Sequence, residues 1–179
     1  FATTQTLKAM ANFLNNYSNN KTISKQDYFN ILLQYANQHK LKNDKGETVN
    51  WIDENMNPYT GDWISRTRLI NWEGNGWSEE KGGVERGKDY NHSGFCDLVL
   101  SDLLGIKSNI NNSIEINPLI PSDWEWFAAE NIPFQGKEIS LVWDKTGKHY
   151  KLGKGLMLFI DQKLAIKKDN IQKIIFTQN

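Results

Sequence analysis

The sequence predicts an α+β protein, with helices in its first part and antiparallel strands in its last part. Apolar residues recur at helical spacing over 4–17, from Ser24 onward, and over 91–105. After residue 112 the pattern changes to short runs in which apolar and polar residues alternate. We therefore place a boundary near 108–112, between a helical part over 1–108 and a small β-sandwich-like antiparallel domain over 113–179.

The helical part carries clear end signals. Ser24 is followed three residues later by Asp27, a capping-box-like pattern at the start of the second helix. The third helix is predicted to begin at 91–93 and to end before Gly105, a residue type favoured just after a helix. The first two helices are expected to form an antiparallel hairpin.

The third predicted helix contains one buried-face carboxylate candidate, Asp102, and the single thiol of the chain, Cys96. Asp102 interrupts the apolar stripe, which leaves three alternatives: an ion pair, an exposed edge, or a functional role. Cys96 is the only cysteine, which excludes an internal disulfide and a multi-cysteine metal site. Its apolar surroundings predict a buried structural thiol.

The β part is predicted from alternation and turn residues. A polar linker over 109–112 precedes it, and its strands are too few for an isolated sandwich, so we expect this part to dock on the helices. A tight turn is expected at Asp161 and Gln162. The predicted strands are 113–117, 138–143, 156–160, 164–166 and 174–176.

Composition excludes several classes of partner. Lys plus Arg and Asp plus Glu both number 21, so nothing indicates binding to nucleic acid or to an anionic membrane. No apolar run is long enough to span a bilayer. The sequence opens without an initiator Met or a signal peptide, so we interpret it as a piece of a longer protein or as a processed chain.

One segment, 51–63, concentrates the residue types that bind sugars. Two tryptophans bracket three carboxylates, two asparagines, a tyrosine and a Pro/Gly turn. The surrounding stretch, 40–90, lacks periodicity but is rich in tryptophan, which favours a long ordered loop lining a site. The alternative is a solvated loop whose tryptophans pack on its underside. In an extended segment Asp53 and Glu54 face opposite ways, so only one of them points into a given pocket.

Glycoside hydrolysis commonly needs two separated carboxyl groups, and the sequence supplies candidates without pairing them: Glu54, Glu85 and Asp89. His92, near a helix start, is either a neutral ring that hydrogen-bonds a sugar hydroxyl or a capping or core-edge histidine. The three histidines are scattered, so no metal site and no cofactor are predicted. The candidate substrate-binding residues are Trp51, Asn55, Tyr59, Trp63, Glu85, Tyr90, Asn91 and His92.

The segment from Glu54 to Gly61, which reads E-N-M-N-P-Y-T-G, resembles the E-N-Y-x-P-x-T-G segment of family 63 glycoside hydrolases. It is also similar to the mannosylglycerate-hydrolase-like group and, more distantly, to trehalases. Residues 1–7 resemble the stretch after a tryptophan-rich motif in such enzymes, and 82–95 resemble their last barrel loop and helix. The tail over 123–147 resembles the C-terminal β domain of bacterial members.

The resemblance implies the C-terminal part of an (α/α)6 toroid of six helical hairpins, followed by a small β domain. It implies that Glu54 is the general base of an inverting hydrolysis of an α-linked glycoside or oligosaccharide, and that Glu85 supports the substrate or the water. The general acid, an aspartate, matches no residue of this chain, so the missing N-terminal part of the enzyme is an expected partner. A periplasmic or secreted bacterial location is favoured over a cytoplasmic one.

A bracing role for the β domain implies that its three tryptophans, Trp124, Trp126 and Trp143, are mostly packed. Two other functions stay open beside the enzyme. One is a non-catalytic carbohydrate-binding module that uses Trp51, Trp63 and Trp77 as stacking faces. The other is a structural accessory region that braces another chain.

Overall fold

The computed structural model combines helices with antiparallel sheets, which confirms the α+β class. It describes residues 2–17, 19–42, 45–54, 59, 63, 92–109 and 112–177. The chain divides into two compact units, Phe1–Val99 and Leu100–Asn179, and the domain boundary near 108–112 stays a prediction. Among the described helices, none combines the length and the apolar character needed to cross a membrane.

The first unit begins with two helices, α1 (Ala2–Asn16) and α2 (Lys25–Gln38). The predicted capping box at the start of α2 is present: the Ser24 side chain accepts the Asp27 N–H, and the Asp27 carboxylate accepts the Ser24 N–H at 2.8 Å. Thr4, near the start of α1, lies 3.3 Å from the hydroxyl of Tyr35, near the end of α2. This contact is the one expected for an antiparallel helix pair.

A short hairpin follows α2 in the stretch that the sequence indicated to be without regular structure. Its strands are β1 (Lys40–Lys42) and β2 (Thr48–Asn50), which pair antiparallel. Three residues are too few to show a periodic pattern, so these strands could not be predicted. The remainder of the expected long loop, apart from residues 51–54, 59 and 63, lies outside the described residues.

The third helix changes type along its length. It starts as α3 (Gly94–Asp97) and continues as a π-helical segment, Leu98–Leu103. Gly105 has φ +70°, the left-handed conformation expected just after a helix. The prediction of a buried thiol is wrong, because Cys96 is exposed. It lies two residues from the buried Leu98, about 200° around the helix, and therefore on the opposite face.

Asp102 is paired, which decides among the three alternatives that the sequence left open. Its side chain is buried, and the Lys107 ammonium lies 3.8 Å from its Oδ1 atom. The end of the π segment is tied to the chain that follows, since Leu119 donates its N–H to the Leu103 carbonyl and Asn117 donates to the Gly105 carbonyl.

The second unit contains two antiparallel sheets. The three-stranded sheet has the order β3-β4-β9, with β3 at Ile106–Asn109, β4 at Ser113–Ile116 and β9 at Ile174–Thr177. β3 was not predicted, and the polar linker expected over 109–112 falls between two strands that pair with each other. The four-stranded sheet has the order β5-β6-β7-β8. Its strands are β5 (Trp126–Phe134), β6 (Lys137–Asp144), β7 (Gly155–Ile160) and β8 (Lys163–Lys168).

The central strands β6 and β7 form the apolar centre of the four-stranded sheet. Consecutive residues of both strands are buried, including 141–144 and 155–158, so both faces of the sheet are covered there. The edge strand β5 was missed because it contains Pro133 and an irregularity after Ala129, where Asn131 has φ +57°. An edge strand tolerates proline, since one side of it makes no ladder hydrogen bonds.

The tryptophans of this unit differ in burial. Trp143 is buried, and its indole N–H donates to the Trp124 carbonyl at 3.0 Å. Trp126 was expected to be packed, but 49% of its surface is exposed, because its position in β5 alternates with the buried Phe127. The Trp126 ring stacks on the His149 imidazole, with centroids 3.9 Å apart and an interplanar angle of 6°.

Asp144, at the end of β6, organises the loop that leads to β7. Its Oδ1 atom accepts the N–H groups of Thr146 and Gly147 at 3.2 and 2.7 Å, and its Oδ2 atom accepts those of His149 and Tyr150 at 2.9 Å each. Burial alone raises the pKa of a carboxyl group, but these four donors outweigh it and hold the pKa of Asp144 below its ordinary value.

Candidate active site

A cluster of aromatic and histidine rings lies beside the segment that carries Glu54. Tyr35 lies in the last turn of α2, and His39 is the residue directly after that helix. His92 and Phe95 come from the start of the third helix. Ring centroids of Trp63 and His92 are 5.6 Å apart, and those of His39 and Phe95 are 4.8 Å apart. Tyr35 meets the Phe95 ring edge-on at 5.1 Å. Such offset and edge-on contacts stabilise ring orientation beyond the burial of area.

Backbone hydrogen bonds tie this cluster to the chain that leads to Glu54. Trp51 donates its N–H to the His39 carbonyl at 2.9 Å, directly after the β1–β2 hairpin. The Trp63 indole N–H donates to the Gln38 carbonyl at 2.8 Å. His39 itself is fixed, because its Nδ1 atom lies 2.9 Å from the Tyr35 carbonyl, which can only accept.

His92 connects the helices to the Glu54 segment through both ring nitrogens. Its Nε2 atom contacts the Asp53 carbonyl, and its Nδ1 atom contacts the Tyr35 hydroxyl. A carbonyl oxygen only accepts, so Nε2 carries the proton, and in a neutral ring Nδ1 is then the acceptor. Tyr35 therefore donates to His92, which leaves Thr4 to donate to the Tyr35 oxygen. We assign this tautomer from the partners.

The surroundings of His92 favour the neutral ring. Burial lowers its pKa below the ordinary value of 6.5, and this effect outweighs the opposing effect of the Asp53 carbonyl. The neighbouring His39 lowers the pKa further, whereas the Asp53 carboxylate raises it. The helix dipole was the cause considered from the sequence; desolvation is the main cause in the structure.

The two adjacent carboxylates of the segment occupy different environments. Asp53 is fully buried, whereas Glu54 is exposed. The Asp53 Oδ1 atom accepts the N–H of Glu54 at 2.7 Å, a bond that a carboxylate is well suited to accept. Asp53 thus has a structural contact, and Glu54 is the carboxylate of the pair that is accessible to a ligand.

The remaining candidate residues are placed as follows. Trp51 is half-buried, and Tyr59 is 96% exposed. The four others, Asn55, Glu85, Tyr90 and Asn91, lie outside the described residues, so their roles stay predictions. In the described part of the chain, no group of three His, Cys, Asp or Glu side chains is arranged to hold a metal ion.

Two sequence expectations need correction. Trp63 is only 1% exposed and makes its own indole hydrogen bond, so its ring packs in the cluster and offers no open stacking face. His92 uses both ring nitrogens within the protein, so it is the core-edge histidine of the two alternatives. Tyr35, His39 and Phe95 were not recognised as part of this region, because their spacing gives only the apolar pattern of ordinary helices.

Comparison with known families identifies both parts of the chain with glycoside hydrolases. Residues 1–93 match the family model described as the mannosylglycerate hydrolase MGH1-like glycoside hydrolase domain. Residues 109–165 are similar to the C-terminal domain of glycosyl hydrolase family 65. The class is therefore that of the glycoside hydrolases, which confirms the resemblance inferred from the Glu54–Gly61 segment.

The first match spans just over half of the chain, and the chain belongs to the MGH1-like glycoside hydrolase family. A solved structure titled "Sialidase" is similar over 96% of this chain, with 34% identity and a TM-score of 0.72. This chain covers 14% of that protein's length.

Proposed function

We propose that this chain supplies the general base, Glu54, of an inverting glycoside hydrolase that acts on an α-linked glycoside. The observation that carries the proposal is the contrast between two neighbouring carboxylates: Glu54 is exposed on a braced segment, and Asp53 is buried beneath it. A general base must reach a water molecule, and an exposed carboxylate held by its backbone meets that need.

The general acid is proposed to come from sequence outside these 179 residues. In an inverting enzyme the two carboxyl groups stand roughly 6.5–9.5 Å apart, with the attacking water between the base and the sugar. Family membership supports an (α/α)6 barrel, of which this chain would contribute the last helices and loops.

The proposal is tested in the complete enzyme with Glu54→Gln, which keeps the shape of the side chain and removes the proton acceptor. Loss of a general base commonly lowers the rate by about 10²–10⁴-fold. We expect kcat to fall by that factor and KM to change little, since an amide still hydrogen-bonds a sugar. Glu47→Gln is the matched control, because Glu47 is an exposed glutamate seven residues earlier.

Two further measurements complete the test. Nuclear magnetic resonance of the first product formed shows whether the anomeric configuration is inverted; retention would contradict the mechanism. Wild-type turnover by Glu54→Gln, together with an inactive Glu85→Gln or Asp89→Asn, would assign the base elsewhere. The 179-residue chain alone is expected to be inactive, and hydrolysis of an aryl glycoside by it would contradict the need for a separate acid.

A second candidate function is carbohydrate binding by the second unit, and the exposure of Trp126 favours it. An aromatic ring fixed by the His149 imidazole is the type of surface on which sugar rings stack. Sugar binding that persists in Glu54→Gln and is lost in Trp126→Ala, with no hydrolysis by the complete protein, would favour this function over the enzyme.

A further inference from the structure

Both sides of one peptide unit, the one that joins Asp53 to Glu54, are held by hydrogen bonds. The carbonyl of this unit accepts from His92 Nε2, and its N–H donates to the Asp53 Oδ1 atom at 2.7 Å. A peptide unit is planar, so bonds at its oxygen and at its nitrogen together limit its rotation. The Cα atom of Glu54 lies in this plane, and the direction of the Glu54 side chain therefore depends on it.

The histidine that holds the carbonyl is itself oriented from the other side. Its Nδ1 atom accepts a hydrogen bond from the Tyr35 hydroxyl, and the Tyr35 hydroxyl oxygen in turn lies 3.3 Å from the Thr4 hydroxyl oxygen. Trp63 packs against the same imidazole at 5.6 Å between centroids. The His92 ring is thus held in place by Trp63 and by Tyr35 of α2, and Tyr35 is in turn held by Thr4 of α1.

We propose that His92, oriented by Tyr35, is a positioning residue that sets the direction of the Glu54 carboxylate. This inference rests on the proposed role of Glu54 as the base. The chain of donors runs from Thr4 through Tyr35 and His92 to the Asp53 carbonyl, and we name it the Tyr35–His92 brace. Without the brace the carbonyl loses its donor, so only the Glu54 N–H bond to Asp53 still limits the rotation of the peptide unit, and the carboxylate moves away from its water.

The proposal differs from a purely structural role in what it predicts for catalysis. A misplacement of about 1 Å at a reacting group can lower a rate by about 10²-fold without loss of folding. We therefore expect that weakening the brace lowers kcat while KM, which reports sugar contacts, changes much less. A residue that only stabilises the unit would affect the melting temperature instead.

The chain offers a matched pair of substitutions that separates the two roles. Tyr35→Phe removes the hydroxyl that donates to His92, and Tyr28→Phe removes another buried hydroxyl of α2, which donates to the Leu98 carbonyl at 3.0 Å. Both changes delete one oxygen from the same helix; Tyr35→Phe removes the hydrogen bonds to His92 and from Thr4, and Tyr28→Phe removes the one to Leu98. Only the first touches the brace.

The first measurement is independent of activity. In the intact protein, amide hydrogen exchange at Glu54 is expected to be at least about tenfold faster in Tyr35→Phe than in wild type, because an amide exchanges when its hydrogen bond opens. Tyr28→Phe should leave that rate within about twofold. Nitrogen-15 chemical shifts of His92, identified by its loss in His92→Gln, should show the proton on Nε2 at neutral pH.

The second measurement is steady-state kinetics on the complete enzyme, well below its melting temperature. We expect Tyr35→Phe to lower kcat by about 10–100-fold with KM within about threefold, and Tyr28→Phe to leave both unchanged. Equal effects of the two variants on exchange and on kcat, or a proton on His92 Nδ1, would overturn the brace. Wild-type turnover in Glu54→Gln would refute the proposed function and with it the catalytic consequence, whereas the exchange rates would still decide whether the brace exists.

Discussion

Two glycines of the second unit provide a sharp test of how its backbone packs. Gly105 and Gly136 have similar conformations, with φ of +70° and +77°. A Cβ atom added at Gly105 would lie 2.2 Å from the carbonyl carbon and oxygen of Asn117, whereas one added at Gly136 would meet nothing within 4 Å. The pair thus separates backbone strain from steric overlap.

The expected magnitudes follow from these distances. Any non-glycine residue in the left-handed conformation costs about 1–2 kcal/mol, so Gly136→Ala should destabilise the unit by that amount. Gly105→Ala carries the same strain and also forces the backbone at Asn117 to move, and overpacking of that kind adds roughly 1–3 kcal/mol. The Asn117 N–H belongs to this displaced backbone and donates to the Gly105 carbonyl at 3.0 Å. Loss of that hydrogen bond adds about 1 kcal/mol to the cost.

Urea denaturation, with a slope that is the same for both variants, measures the difference between their free energies of unfolding. At a slope of about 2 kcal/mol per molar, an extra cost of about 2–4 kcal/mol shifts the midpoint of Gly105→Ala by about 1–2 M below that of Gly136→Ala. Hydrogen exchange at the Asn117 and Leu119 amides should accelerate in Gly105→Ala and stay unchanged in Gly136→Ala. Midpoints within about 0.3 M of each other would refute the close approach at Gly105.

Three further predictions concern groups described above. Burial lowers the pKa of His92 below 6.5, so on acidification the unfolded chain binds this proton before the folded chain does. The free energy of unfolding should therefore fall as the pH drops below 6.5, and His92→Gln should remove this part of its pH dependence. Denaturation midpoints of the two proteins, measured across this pH range, check the prediction. Trp143→Ala should cost about 3–5 kcal/mol, because a buried indole is removed, and Trp126→Ala much less, so equal losses in thermal unfolding would contradict their different burial. Asp144→Asn replaces one of the two accepting oxygens by an NH2 group that cannot accept, so exchange should accelerate at one pair of amides, either Thr146 and Gly147 or His149 and Tyr150, while the Gly136 amide is unaffected.

The sequence predicted those elements whose signals are local. The capping box at Ser24 and Asp27 is formed by neighbours three residues apart, and it is present in the structure. The turn at Asp161 and Gln162 joins β7 to β8 as expected, with both residues at positive φ. In contrast, β5 was missed because its irregularity and Pro133 break the alternation, and only pairing with β6 makes it a strand.

The Tyr35–His92 brace could not be predicted in the same way. Its members come from α1, α2, the 51–54 segment and the start of the third helix, so their contacts span up to 57 residues along the sequence. No local motif encodes such contacts. The sequence did single out Glu54 as a general base and left His92 open between a sugar contact and a capping or core-edge histidine, but it gave no sign that His92 contacts the backbone next to Glu54.

The acceptor in the brace is a main-chain carbonyl, and this has a consequence for how the site can change during evolution. Every amino acid carries that carbonyl, so substitutions at position 53 preserve the acceptor itself, even where they disturb the buried side chain. The donor has no such protection, since few side chains place an N–H where the His92 imidazole does. Among related chains, selection on this contact should therefore act on position 92 and on the tyrosine at position 35, while the acceptor is inherited without cost.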